Sequence, residues 1–288
     1  MMKIRYYSDL HIDPQWFLPF DPPVLDDDHE TTLVLAGDIA EYKHVSEFVL
    51  DMSKRFKYVV YVMGNHEFYR TSITRAIPKI KGKITQLNDN KYPDNIHILE
   101  DEYVILDGVA FIGATLWASM GERDPFTMYN AKTRMNDYKC IRMPRPGTVP
   151  TGKGAYGSKL TPEKTVEMHY NSRYFIIDAA QTLAELPTVR KIVVVTHHGV
   201  TDQSIQPSFR GDGLNGAYVS ELSEFIGITK IDLMIHGHVH HTFDYNVMTG
   251  EDDPYPTRVV TNPRGYRMIK YPNQIENYDF NPIKVIEL

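Results

Sequence analysis

Thr32-Leu33-Val34-Leu35-Ala36-Gly37-Asp38 decides the reading of this chain. A strand with one wet face alternates apolar and polar residues, whereas an unbroken apolar run suits a strand covered on both faces. Here the run stops abruptly at a glycine and an aspartate. The same arrangement recurs four times. Lys3–Ser8 runs into Asp9-Leu10-His11, and Tyr58–Met63 into Gly64-Asn65-His66-Glu67. Lys191–Val195 runs into Thr196-His197-His198-Gly199, and Ile231–Ile235 into His236-Gly237-His238-Val239-His240. Five buried strands thus each end in a tight turn carrying Asp, Asn or His.

Helical patterns fill the gaps. Val45, Phe48, Val49 and Met52 recur at helical spacing and place a helix over Tyr42 to Phe56. A second is expected from Thr71 to Leu87. Thr161-Pro162-Glu163 supplies a capping hydroxyl, a proline suited to the first turn and an acid near the positive end, so a helix starts there and runs to Leu186. Gly216 to Ile226 reads as another. Asp107-Gly108 joins Tyr103–Leu106 to Val109–Ala114 as a two-residue hairpin, and Phe243–Val247, Arg258–Thr261 and Lys284–Ile286 read as late strands. Strands alternating with helices give an α/β fold, and the late strands suggest a second sheet layer. Ser119 to Leu160 departs from this pattern. It has Gly and Pro punctuation, no sustained periodicity, and 8 Lys or Arg against 3 Asp or Glu, a local +5 in a chain of net −6. It is expected to be a loosely structured basic insertion, a lid over a surface.

Composition narrows the classes. The 288 residues fit a single domain spanning 1–288. With 42% apolar and 24% charged residues, disordered, collagen-like and coiled-coil chains are excluded. No apolar run approaches the ~18 residues of a membrane span, and the first residues alternate like a strand rather than a secretory leader. The single cysteine, Cys140, excludes an internal disulfide and a zinc-finger cluster. A cytoplasmic setting is the expectation. The net charge argues against a long groove for nucleic acid but leaves a small anionic substrate open, because a local field can oppose the total.

In open α/β sheets, ligands gather outside the carboxyl ends of the strands, so the five turns are expected to converge. Asp9, His11, Asp38, Asn65, His197, His238 and His240 would then offer seven N and O donors and no thiolate. One tetrahedral zinc takes about three or four ligands. Seven suit two divalent cations sharing a bridge, ~3.5–4 Å apart, which stabilise the attacking and leaving oxygens of an in-line displacement. Mixed imidazole and carboxylate ligation accepts Mn, Fe, Zn, Co or Ni.

These five motifs, in this order across residues 9 to 240, resemble the calcineurin-like metallophosphoesterase superfamily. Asn262-Pro263-Arg264-Gly265-Tyr266 and Met135-Asn136-Asp137-Tyr138 resemble features of its small bacterial and phage members. The resemblance implies a four-layer α/β/β/α sandwich with two mixed β-sheets. It assigns Asp9, His11 and His240 to one metal, Asn65, His197 and His238 to the other, and Asp38 to both. It implies a bridging hydroxide that attacks phosphorus in line, with manganese the foremost metal under assay conditions. His66 would protonate the leaving oxygen or hydrogen-bond to a phosphate oxygen.

One departure matters. Where the protein-phosphatase branch has an Asp-Arg pair, this chain has Ile39-Ala40-Glu41-Tyr42. Glu41 is the residue placed to orient His66, and the bidentate arginine grip on phosphate is missing. The protein-phosphatase branch is therefore set aside. Replacement grips are sought in Arg70, Arg264 or the basic insertion, with Asn65 and His66 also facing the substrate. Asn215 is either a helix N-cap or a substrate contact. His197 is favoured over His198 as the ligand, His236 and His241 are expected to be structural, and His29, His44, His97 and His169 to lie on the surface. Asp26-Asp27-Asp28 reads as a solvated loop. Tyr69, Tyr129 and Tyr138 either pack or stack on a base. The expectation is a hydrolase of small phosphodiesters or nucleotide-type compounds. Alternatives are a scaffold that has lost its chemistry, against which the complete ligand set stands, and a metal-dependent nuclease, against which the lack of a basic stripe stands.

Overall fold

The unbroken apolar runs are strands with both faces covered. A computed structural model describes residues 1–14, 19–145, 156–248, 255–268 and 274–288. In the first sheet β1 (Lys3–Tyr7), β2 (Thr32–Ala36), β3 (Tyr58–Val62) and β4 (Ile96–Leu99) pair in parallel, and β13 (Val285–Glu287) runs antiparallel beside β1. In the second, β6 (Val109–Ala114), β9 (Lys191–Thr196), β10 (Leu233–His236) and β12 (Thr257–Thr261) are parallel neighbours. Antiparallel β5 (Glu102–Leu106) and β11 (Asp244–Val247) form its edges.

The two sheets pack face to face with helices outside. Along β2, Val34 and Ala36 point into the layer between the sheets, where they join Val193 and Val195 of β9. Leu33 and Leu35 point the other way, into a cluster with residues of α1 (Val45–Arg55) and α2 (Ala76–Leu87). Ile192 and Val194 likewise meet α6 (Pro162–Ala184) and α8 (Ser223–Gly227). Each such Val, Leu or Ile side chain, once fully buried, contributes about 1.5–3 kcal/mol. This is the four-layer α/β/β/α sandwich with two mixed β-sheets.

Arg5 breaks the apolar rule on β1. It is fully buried and donates to Asp28 at 2.6 Å, and Arg55 donates to the same carboxylate at 2.5 Å. Asp28 therefore anchors a buried ion pair, not the solvated loop expected of Asp26-Asp27-Asp28, because a buried guanidinium needs a partner. His169 is corrected too. It is fully buried on α6 with Nδ1 3.2 Å from the Leu116 carbonyl oxygen, and His97 is half-buried on β4, while His29 and His44 are exposed.

The insertion is built, not irregular. It holds α3 (Met120–Arg123), α4 (Pro125–Arg134), α5 (Asp137–Cys140) and a hairpin of β7 (Arg142–Pro144) with β8 (Tyr156–Lys159); residues 146–155 lie outside the described residues. In α3, Gly121 and Glu122 hold left-handed φ of 63° and 55°, a turn no right-handed periodicity reveals. The helix expected from Thr71 begins only at Ala76, because Thr71 and Ile73 exchange backbone hydrogen bonds with Arg142. The helix expected over Gly216–Ile226 is two short ones, α7 (Asn215–Tyr218) and α8, since Tyr218 and Ser220 bond the backbone of Gly199 instead.

Candidate metal centre

The parallel strands β1, β2, β3, β9 and β10 deliver their carboxyl ends to one place. The turns after β1, β2 and β10 share one strain. Asp9, His11, Asp38, His238 and His240 all have positive φ, between 45° and 70°. Such backbone is uncommon outside glycine, although Asp, Asn and His tolerate it best. Each turn folds back at once and aims its side chain across the sheet ends. Close approach then demands glycine at two positions. A Cβ on Gly64 would sit 2.1 Å from Asp38 Oδ1, and one on Gly237 would sit 2.7 Å from Asp9 Oδ2.

Two donor groups result, sharing Asp38. In the first, His240 Nε2 lies 3.2 Å from both Asp9 Oδ1 and His11 Nε2, and His11 Nε2 lies 3.9 Å from Asp38 Oδ2. In the second, His197 Nε2 lies 3.5 Å from Asp38 Oδ1 and 3.0 Å from Asn65 Oδ1, with His238 in the same cluster. His66 stands between them. Its backbone N–H donates to Asp38 Oδ1 at 2.9 Å, its Nε2 lies 3.7 Å from Asp38 Oδ2, and its ring stacks on Tyr69.

Polar partners brace the ligands. The Glu67 carboxylate accepts from the backbone N–H of Asp38, Ile39 and Gly64 and from the Tyr61 hydroxyl, tying the ends of β2 and β3 together. His197 Nδ1 sits 3.0 Å from the Ala36 carbonyl oxygen, which fixes Nε2 as the nitrogen facing Asp38. Glu276 takes His240 Nδ1 at 2.7 Å, and Asp137 takes Asn65 Nδ2–H at 2.7 Å.

The electrostatics fit cations. Burial, together with Glu67 and Asp9, drives the Asp38 carboxyl well above its ordinary value. Burial would also raise Asp9, but His240 outweighs it and holds that carboxyl low. Burial and neighbouring imidazoles hold His11 and His238 well below the ordinary histidine value and His66 at about 3. The His238 Nε2 and His11 Nδ1 atoms are buried with no hydrogen-bond partner. A buried carboxylate resisting its charge, beside neutral imidazoles with unused lone pairs, is a donor set suited to divalent metals.

The remaining sequence candidates go to different places. His198 turns to the Thr115 carbonyl oxygen at 3.2 Å, and His236 is held by Ser204 and Gly237. Glu41 accepts from Arg70 at 3.0 Å, while His66 Nε2 lies 3.0 Å from the Tyr266 hydroxyl. Arg264 is buried and donates to the carbonyl oxygens of Leu10 and Pro19. Asn215 is the first residue of α7, not its N-cap, and lines a cleft of ≈ 480 Å³ above the donor cluster. The cleft wall also holds Arg134, Phe209 and Tyr218. Tyr69 faces the cleft as well, whereas Tyr138 is buried against Thr165 and Tyr129 is exposed.

A family model for calcineurin-like phosphoesterases matches residues 2–242. The chain belongs to the calcineurin-like phosphoesterase family. Among curated proteins, this phosphoesterase is 24% identical over 313 residues to an uncharacterized protein of Acanthamoeba polyphaga mimivirus, covering 100% of this chain and 97% of that one. Phosphopantetheinyl hydrolase from Mycobacterium tuberculosis matches the phosphoesterase with a TM-score of 0.55 at 15% identity, over 92% of this chain and 89% of that chain. At that identity the likeness shows a common fold. Membership places the phosphoesterase in a family of metal-dependent phosphoester hydrolysis, and the fold brings together donor groups that could hold such metals. No helix among the described residues is long and apolar enough to cross a membrane.

Sequence reasoning gave no role to Glu67, Asp137, Glu276 or Tyr266, although it quoted the motifs holding Glu67, Asp137 and Tyr266. Their signal was faint: a lone carboxylate inside a polar motif looks the same whether it braces a ligand or faces water. Glu276 lies in a segment without periodicity, and only the fold brings it to His240.

Proposed function

We propose that this phosphoesterase holds two divalent cations and hydrolyses a small phosphodiester or nucleotide-type substrate. Asp9, His11, Asp38 and His240 would hold one cation, and Asp38, Asn65, His197 and His238 the other. The observation that carries this reading is Asp38, whose carboxylate lies within 4.8 Å of the donors of His11 and His66 on one side and of His197 and His238 on the other, with His11 grouped in turn with Asp9 and His240. Bound there, two cations would supply water with a pKa lowered toward ~7 and a clamp on the oxygens of an in-line displacement. Manganese is the first cation to test.

The chain's own residues do the rest. His66 is kept neutral by burial and is anchored to Asp38 by its backbone, so its ring is fixed toward the shared carboxylate. In that state it is suited to hydrogen-bond to a phosphate oxygen, one of the two roles expected for it. Arg134 is the one Lys or Arg among the described residues lining the cleft, and its Asp212 partner is 4.0 Å away. It supplies the phosphate grip sought in Arg70 and Arg264, which go to Glu41 and to backbone carbonyls. Tyr218 and Phe209 offer flat surfaces for an aromatic leaving group, and the volume is in the ~300–1,000 Å³ range of small-molecule sites.

A panel of mono-, di-, cyclic and pyrophosphate esters, run on protein reconstituted with defined metals, tests the reading. Turnover of small diesters that requires two metal equivalents is expected. Full activity at one equivalent, or no hydrolysis of any member, would overturn it. Arg134→Gln is expected to raise KM several-fold, by roughly the ~1 kcal/mol of one exposed charged contact, and to leave metal content alone.

A further inference from the structure

An asparagine ligand carries an ambiguity that a carboxylate does not. Its amide presents an oxygen on one side and an NH₂ on the other, in nearly the same shape, and only the oxygen can bind a cation. Something must decide which end faces inward. In this chain Asn65 Nδ2–H donates to Asp137 Oδ1 at 2.7 Å, while Asn65 Oδ1 faces His197 Nε2 at 3.0 Å. The Tyr69 hydroxyl donates to the same Asp137 oxygen at 3.0 Å. Asp137 is 2% exposed, and its Oδ1 already accepts from both donors, so an amide oxygen turned toward it would meet an acceptor. Facing it, the amide is stable in one orientation, with the oxygen toward His197.

Asp137 opens α5 in the basic insertion, and α5 is tied to the metal loop from several directions. The backbone N–H of Arg70 donates to the Cys140 carbonyl oxygen at 3.1 Å, and that of Arg142 to the Thr71 carbonyl oxygen at 3.0 Å. Tyr138 pairs with Thr165 of α6 at 3.2 Å, and the Leu160 N–H donates to the Ile141 carbonyl oxygen at 3.0 Å. The insertion is thus fastened to the loop carrying Asn65 on one side and to the start of α6 on the other. Arg134, at the end of α4, precedes Asp137 by three residues and lines the cleft.

We propose that Asp137 is a positioning residue for the second cation: it locks the Asn65 amide with its oxygen inward, so that the basic insertion is part of the metal centre and not a detachable lid. The inference rests on the two-cation reading above. The experiment is calorimetric titration of Mn²⁺ into chelator-treated full-length protein, with thermal melts alongside, for wild type, Asp137→Asn, Asp137→Leu and Tyr69→Phe. Two binding events are expected for wild type. Asp137→Leu should weaken one of them by about 10–100-fold, the range for a lost outer partner of a ligand, and spare the other. Asp137→Asn, which keeps an oxygen acceptor, should recover most of that loss. Tyr69→Phe, which keeps the 2.7 Å Asp137–Asn65 bond and loses the longer 3.4 Å contact of the Asn65 amide with the Tyr69 hydroxyl, should weaken binding far less than Asp137→Leu. Wild-type binding by Asp137→Leu would overturn the proposal. So would equal weakening of both events in Asp137→Leu and Asp137→Asn together with a lowered melting temperature, since that marks a merely structural residue. A wild type that binds fewer than two cations would overturn the two-cation reading, and this inference with it.

Discussion

The two halves of the donor cluster are made from the same kind of strand-end turn, yet they are braced against different media. At the rim, His240 leans on Glu276, whose side chain is 50% exposed. In the interior, His197 leans on a backbone carbonyl and Asn65 on a buried carboxylate. The consequence is electrostatic. Burial alone would lower His240, but Asp9 and Glu276 outweigh it and raise the imidazole to about 9. Burial holds His197 low, and His238 lower still with the help of neighbouring histidines. A cation arriving at the rim must therefore displace a proton near neutral pH, whereas one arriving in the interior meets imidazoles already neutral.

Asp38 belongs to both halves, so its loss should erase the difference between them. Asp38→Asn is expected to lower turnover by about 10³-fold or more, the equivalent of several kcal/mol of lost transition-state stabilisation, and to lower metal content at both positions. Metal analysis and kinetics on the same preparation check this; full activity with normal metal content would remove Asp38 as the bridge. His66→Asn makes the converse test. His66 touches both halves without standing in either expected ligand set, its ring 4.6 Å from that of His11 and its N–H on Asp38. The variant is expected to keep both cations and lose about 10²-fold in kcat, the lower end of what one hydrogen bond aimed at the transition state supplies. Loss of metal would place His66 among the ligands.

The same contrast separates what was legible in the sequence from what was not. Strands β1, β2, β3, β9 and β10 could be read because two covered faces force an unbroken apolar run, and a ligand turn at the end of each run is a local pattern. β4 escaped notice because Ile96-His97-Ile98-Leu99 alternates and follows Pro93-Asp94-Asn95, which reads as a turn. The insertion looked irregular because α3 and α5 are single turns, too short for periodicity, and α4 exposes Phe126 and Tyr129. Arg70, Arg264 and Glu41 were sensible candidates by residue type. Their side chains were already committed to each other or to backbone oxygens, and only packing decides such commitments. Asp137 and Glu276 brace ligands that lie 72 and 36 residues away in sequence, and no local pattern records that distance.

The pH dependence of metal binding offers the finest test of the comparison. His240 binds a cation only as the neutral imidazole, and before the cation arrives its pKa is about 9. The affinity of the rim position should therefore rise by about tenfold per pH unit from 7 toward 9 and level off above that. The interior position should rise less steeply over the same range, because burial keeps its histidines unprotonated throughout and any proton held by Asp38 is displaced at both positions alike. Glu276→Gln removes one of the two charges that stabilise the imidazolium, so the plateau should move to lower pH while Asp9 still holds part of the shift. Near pH 7 the variant gains from weaker proton competition and loses a brace on the ring, so the net change in affinity there should be small. At pH 9 only the lost brace remains, and the rim position should bind about 10-fold more weakly than in wild type. Titrations of both proteins at pH 7, 8 and 9 separate the two contributions. A rim affinity in wild type that does not change across this range would show that the halves differ in exposure but not in proton competition.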